Sequence, residues 1–197
     1  MDMNEEEIKK QLRQEVFRRR EQATDEEVSE KSRRIFRRIT VSEAYKKAET
    51  IFTYVGFGHE VMTQPFIEQA WRDGKKTAVP RVDPHRQMSF WYIHSFGQLK
   101  PSKFGILEPD PSFPGLVLQA DDAKNVLMIM PGVAFDPMLH RVGYGGSYYD
   151  RYLKRHMDFV RYAVAFEFQI FDSVPYDLMD VPPQAVFTEE RMLGHGT

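Results

Sequence analysis

The sequence predicts a layered α/β fold with a largely parallel sheet. Strand-length apolar segments alternate with helix-length amphipathic ones along the chain. The apolar run Val126-Leu-Met-Ile-Met130 also leads through Pro131-Gly132 and a glycine-rich loop into a helix.

The elements follow in order. Residues 4–22 read as a helix, because Ile8, Leu12 and Val16 form one apolar stripe at i, i+4 spacing amid charge. Thr24 followed by Glu27 fits a capping box that starts a second helix, running to about Arg38. Thr50-Ile-Phe-Thr-Tyr-Val-Gly56 reads as a strand that ends in a turn at Gly56 and Gly58. Thr63 is placed to cap a helix through Trp71 that stops near Gly74, and Lys76–Pro80 and Phe90–Ile93 read as strands. From Ser95 to Lys124 the pattern breaks down. Pro101, Pro109, Pro111 and Pro114 rule out a continuous helix, and structureless segments of this length are usually functional or mobile. Regular structure returns with the strand at 126–130, a helix from Ser147 to Met157, a strand at Arg161–Phe166 and a short one at Ala185–Phe187 before a polar tail.

Composition narrows the function classes. With 197 residues, 42% hydrophobic and 28% charged, the chain is expected to form one globular domain over 1–197. A formal charge of -2 supplies no bulk attraction to nucleic acid or anionic membrane. The absence of cysteine excludes disulfides, thiolate catalysis and cysteine-ligated metals, and it fits a reducing compartment. The charged N-terminus lacks the apolar stretch of a secretory signal, and no apolar run approaches the roughly 20 residues needed to span a bilayer. The expectation is a soluble, cytoplasmic monomer with no nucleic-acid or membrane partner.

The segment with the most chemistry is Arg141-Val-Gly-Tyr-Gly-Gly-Ser-Tyr-Tyr-Asp-Arg-Tyr-Leu153. Its glycines let backbone approach a ligand, and the amides opening a helix are anion donors. It is not a Walker A loop, because no Gly-Lys-Ser/Thr follows. Nor is it the dinucleotide fingerprint, since Tyr148 stands where the third glycine falls. By pattern alone it fits a tight turn as well as a phosphate site; Arg141 at its entrance and the tyrosines at its exit favour the latter.

Other candidates each have a plain structural reading. Lys9 and Arg13 share one side of the first helix beside the Ile8/Leu12 stripe, yet Lys10, Arg18, Arg19 and Arg20 also fit a solvated basic face. Interspersed glutamates weaken a nucleic-acid reading of the same helix. Asp150 in the first turn of the loop's helix suits the helix dipole without further purpose. With Asp180 it also offers the one or two carboxylates that magnesium takes beside waters and phosphates. Glu60, in the turn after a strand, is an ordinary loop residue or faces a ligand crevice. His59-Glu60 is not a zincin motif, because position 63 is Thr. Ser147 is not in a nucleophile elbow. Phe90, Trp91 and Tyr92 read as core.

Together these segments resemble the 5-formyltetrahydrofolate cyclo-ligase (methenyltetrahydrofolate synthetase) family. The likeness is collinear over nearly the whole chain. It runs through Lys9-Lys-Gln-Leu-Arg13, Glu60-Val-Met-Thr63, Phe104-Gly-Ile-Leu-Glu-Pro109, Met130-Pro-Gly-Val-Ala-Phe-Asp136, Arg141–Leu153, and Asp180 with Thr188-Glu189. The resemblance implies a three-layer α/β sandwich and an ATP- and magnesium-dependent ring closure of 5-formyltetrahydrofolate to 5,10-methenyltetrahydrofolate, with release of ADP and phosphate. By the same resemblance, Lys9, Arg13 and Arg141 are the catalytic cations at the ATP phosphates. The nucleotide loop comprises Arg141, Val142, Gly143, Tyr144, Gly145, Gly146, Ser147, Tyr148, Tyr149 and Asp150. Val55, Glu60 and Tyr144 through Tyr148 meet the folate, and Asp150 and Asp180 associate with magnesium. Ser147 replaces a glycine usual in that loop, Met179 a frequent His, and Asp177 a usual Glu. These departures motivate an alternative: a nucleotide- and folate-binding regulatory protein of the same fold without turnover.

Overall fold

The structure, a computed structural model, describes residues 4–103, 105–113, 119–120 and 122–195. Helix α1 (Glu5–Gln22) starts at Asn4, whose side chain accepts from the Glu6 amide. Three glutamates in its first turn and Arg19 and Arg20 in its last complement the helix dipole. Helix α2 (Asp25–Thr40) carries the expected capping box, with both reciprocal Thr24–Glu27 bonds formed. A short helix, α3 (Glu43–Lys47), leads to β1 (Thr50–Phe52), followed by α4 (Gln64–Arg72), β2 (Lys76–Val82) and β3 (Met88–Ile93). Then come β4 (Leu99–Pro101), β5 (Leu107–Pro109), β6 (Val126–Met130), β7 (Ala134–Phe135), β8 (Arg141–Val142) and α5 (Tyr148–Leu153). The last strands are β9 (Val160–Val164), β10 (Ala185–Phe187) and β11 (Met192–Gly194).

Seven strands form the central sheet in the order β11-β10-β9-β6-β1-β2-β3. The four inner pairings are parallel, and the two outermost, β10–β11 and β2–β3, are antiparallel. Because side chains alternate across a strand, β1 and β6 feed two cores. Ile51, Leu127 and Ile129 join Val28, Ile35 and Phe66 from α2 and α4 on one face. Phe52, Met128 and Met130 join Tyr152 and Leu153 of α5 on the other. The three-layer expectation holds.

Several boundaries differ from the sequence reading. Strand β1 stops at Phe52 instead of Gly56, since beyond the Thr53 amide bond to the Ala78 carbonyl (3.0 Å) the chain leaves the sheet. Thr63 does not cap α4. Its hydroxyl donates to the Tyr54 carbonyl (2.7 Å) and accepts from the Gly56 amide (3.0 Å), closing the loop that carries Glu60. Within 95–124 the chain forms the β4–β5 hairpin, whose Leu99 and Leu107 pack on Val55, Ile67, Val79 and Ile93. Pro101 and Pro109 are tolerated there because they stand two residues from one another in register, at the alternate positions whose backbone faces away from the partner strand. Phe104 and Pro114 lie outside the described residues. The tail is not irregular either, since β11 pairs antiparallel with β10. Helix α5 ends at Leu153, four residues short of the expected Met157.

Candidate functional site

Strand order locates the site. From β1 the chain crosses through α4 to β2 on one side, whereas from β6 it crosses through α5 to β9 on the other. Adjacent parallel strands whose connections diverge leave a crevice at their carboxyl ends. The loop after β1, residues 53–63, and the segment after β6, from Pro131 to Ser147, flank that crevice.

Three side chains close across it. The Tyr144 hydroxyl accepts from Arg20 Nη1 (2.5 Å) and donates to Glu60 Oε1, while Arg20 lies 3.8 Å from the same carboxylate oxygen. Glu60 Oε2 accepts from the Phe57 amide (3.1 Å), which fixes the second oxygen. Arg20 Nη2 donates to the Gly132 carbonyl (3.1 Å), so the last turn of α1 is tied to the turn after β6. Earlier on the helix, Arg13 Nε donates to the Gly143 carbonyl (2.9 Å). The solvated-stripe reading therefore fails for Arg13 and Arg20. Lys9 follows the same helix face and is largely buried, with Nζ 3.8 Å from Glu6.

A second cluster surrounds Arg141, whose Nη2 donates to Asp150 Oδ1 (2.9 Å), an oxygen that also accepts from the Val181 amide (3.2 Å). That amide brings the segment holding Asp180 to Asp150. The Asp180 carboxylate itself turns back to accept from the Asp177 amide (2.9 Å). Arg141, Asp180, Asp177 and Val181 line one groove with His140 and Tyr176, two rings stacked 3.7 Å apart. Val142 is buried beside Ala134 and Val174, so its side chain is part of the scaffold. Val55 is likewise buried, in the cluster under the β4–β5 hairpin. Tyr148 packs under the Arg151 guanidinium (5.0 Å), and Arg151 donates to the Gly146 carbonyl (2.7 Å).

The loop's conformation accounts for its composition. Gly145 has φ +97, a region that side chains disfavour, beside the Arg13 guanidinium. Ser147 adopts φ 49, ψ 28, the left-handed conformation, so the departure from glycine keeps a glycine-like geometry. A left-handed serine costs roughly 1–2 kcal/mol, part of which glycine would return as unfolded-state entropy. Ser147→Gly is therefore expected to stabilise by about 0.5–1 kcal/mol, with turnover within about twofold; a fall in melting temperature would count against strain at this residue.

Electrostatics keeps the tyrosines as donors. Burial pushes the Tyr149 hydroxyl up against the pull of Arg141, and burial with the Glu60 charge does the same to Tyr144. Among the described residues, the buried Tyr149 hydroxyl, Arg20 Nε and Arg141 Nε have no hydrogen-bond partner. Polar atoms left this way beside a crevice fit a polar ligand.

The family model described as the 5-formyltetrahydrofolate cyclo-ligase family matches residues 5–189. The chain belongs to the 5-formyltetrahydrofolate cyclo-ligase family. The cyclo-ligase of Escherichia coli K12 is 28% identical over 188 residues, covering 90% of this chain and 98% of its own. The mouse cyclo-ligase is 27% identical, covering 92% and 94%. Among solved structures, the 5,10-methenyltetrahydrofolate synthetase of Aquifex aeolicus superposes with a TM-score of 0.80 at 29% identity, covering 95% of this chain and 92% of that one.

The cyclo-ligase match spans α1 to β10, and so every element that flanks the crevice. Sequence reasoning missed Arg20. A signal for Arg20 existed. Lys9, Arg13, Val16 and Arg20 fall at i, i+4, i+7 and i+11, one helix face, and Val16 and Arg20 are the buried residues of α1. No helix among the described residues is long and apolar enough to cross a membrane.

Proposed function

We propose that the chain catalyses the ATP- and magnesium-dependent cyclisation of 5-formyltetrahydrofolate to 5,10-methenyltetrahydrofolate, releasing ADP and phosphate. The observation that carries this reading is the meeting of Glu60, Tyr144 and Arg20 across the β1/β6 crevice. There the loop assigned to folate touches the loop assigned to nucleotide. Reaction between two bound molecules requires such adjacency.

The chemistry fits the residue types. A formyl oxygen on nitrogen is a poor leaving group. Its attack on the γ-phosphorus breaks the bond to ADP and forms an imidate-like phosphate. N10 then attacks the formyl carbon and loses its proton, and phosphate departs as the ring closes. No enzyme nucleophile is needed. Phosphoryl transfer depends on positioning and charge neutralisation, which Lys9, Arg13, Arg141 and the amides of residues 143–148 are suited to supply. Asp150 and Asp180 are the residues that would hold magnesium; hard carboxylate oxygens in this number match its habit of keeping water and phosphate ligands. When bound, the ion neutralises phosphate charge. Glu60 accepts from an N–H edge of the pterin, and Tyr144 through Tyr148 border the same ligand.

The left-handed Ser147 supports an active enzyme over the regulatory alternative, since the serine holds a backbone conformation that glycine adopts without strain. Purified protein with ATP, magnesium and 5-formyltetrahydrofolate is expected to generate the methenyl chromophore. Tight binding of both ligands without product would favour the regulatory reading. Lys9→Ala is expected to weaken ATP binding by roughly 1.5–3 kcal/mol, the scale of a charged hydrogen bond. Unchanged ATP affinity in titration calorimetry would remove Lys9 from the nucleotide site.

A further inference from the structure

We propose that Arg20 is a positioning residue for the folate substrate: it holds the Glu60 carboxylate ready for the pterin edge, and the Tyr144 hydroxyl stands in for the pterin N–H until substrate arrives. This rests on the reading of Glu60 as a folate contact. Arg20 is 8% exposed and emerges from the last turn of a regular helix, so its stem has little freedom. Residue 20 grips the opposite loop twice. Its guanidinium faces Glu60 at 3.8 Å, and its backbone carbonyl lies 2.5 Å from His59 Nδ1. The Gly132 carbonyl anchors the remaining arm of the fork.

Tyr144 completes the arrangement. A hydroxyl has one proton to give, and this one goes to Glu60 Oε1 while the oxygen accepts from Arg20. Glu60 Oε2 is already taken by the Phe57 amide. A ring N–H that reaches Glu60 Oε1 along the direction the Tyr144 hydroxyl now takes displaces that hydroxyl. Stacking on Phe17 (6.0 Å) keeps the tyrosine ring at the crevice wall when its hydroxyl lets go. Arg20 Nη1, released when Tyr144 lets go, is a donor 3.8 Å from the carboxylate acceptor. A lactam edge, with its N–H next to a carbonyl, presents the complementary pair. The Tyr144 contribution to folate binding then lies in its ring, and its hydroxyl is a competitor.

The test uses the full chain with Arg20→Met, Arg20→Lys and Tyr144→Phe. It reads KM for each substrate, kcat, and the direct Kd of 5-formyltetrahydrofolate by calorimetry. Arg20→Met should raise the folate Kd and KM about 10- to 100-fold, with the ATP KM within about twofold. Lysine cannot bridge Glu60, Tyr144 and Gly132 together, so Arg20→Lys should fall between. Tyr144→Phe should tighten folate binding about 2- to 5-fold by removing one competing hydrogen bond. Folate and ATP constants rising together, or a lower melting temperature with an unchanged folate Kd, would make Arg20 a structural pin and overturn the proposal. Weaker folate binding in Tyr144→Phe would make its hydroxyl a substrate contact and overturn the stand-in role. Wild-type protein that binds folate without turnover would overturn the proposed reaction alone, because the Kd comparison still reads the positioning.

Discussion

Arg141→Met is expected to lower kcat/KM for methenyl formation by about 10³-fold or more, equivalent to roughly 4 kcal/mol of lost transition-state stabilisation. The size follows from what the guanidinium does. Its side chain is 7% exposed, it pairs with Asp150 at 2.9 Å, and it lies over the Tyr149 ring at 6.0 Å. Methionine fills similar volume but leaves Asp150 as a buried carboxylate supported, among the described residues, only by the Val181 amide. It also removes a cation from the place where phosphate charge is proposed to shift. Arg141→Lys should recover part of the loss by restoring charge without the planar fork. Steady-state kinetics, with thermal unfolding to confirm folding, checks both variants. A loss below about 10-fold would take Arg141 out of charge neutralisation.

Gly132→Ala carries the largest expected stability effect. A methyl at this position would lie 2.2 Å from Cζ and 2.7 Å from Cε2 of Phe135, a ring with no exposed surface. A packed ring cannot yield that distance without displacing its neighbours, so the cost is placed at about 2–3 kcal/mol. For a chain of this size that lowers the melting temperature by roughly 4–12 °C. The Gly132 carbonyl also accepts from Arg20 and Gln169, so a shifted turn carries into the crevice. An unchanged melting temperature would mean that the ring has somewhere to go.

Most of the fold was legible where local chemistry and tertiary demand agree. The Thr24–Glu27 box and the apolar run at 126–130 declare their elements because caps and buried strands need those residues. Legibility failed where a residue's partner is distant. Thr63 looks like a cap until Tyr54 and Gly56 claim its hydroxyl. The β4–β5 ribbon hides behind its own prolines, and β11 is a strand only because β10 offers it an edge. The candidate site shows the same division. The glycine loop announces itself, whereas Arg20 sits in a run of three arginines and acquires meaning from residues 60, 132 and 144. Helical periodicity alone set Arg20 apart from Arg18 and Arg19.

The way α1 is attached has a consequence for motion. Its buried residues are one valine and one arginine, and much of its docking is polar, through Arg13, Arg19 and Arg20 to the Gly143, Phe168 and Gly132 carbonyls. Elements with few buried apolar contacts open at free energies below global unfolding. Hydrogen exchange should accordingly find the α1 amides less protected than those of β1 and β6, and slowed when ligand occupies the crevice. Lys9, Arg13 and Arg20 all ride on this helix, so its opening would withdraw three positive charges from the crevice in one movement.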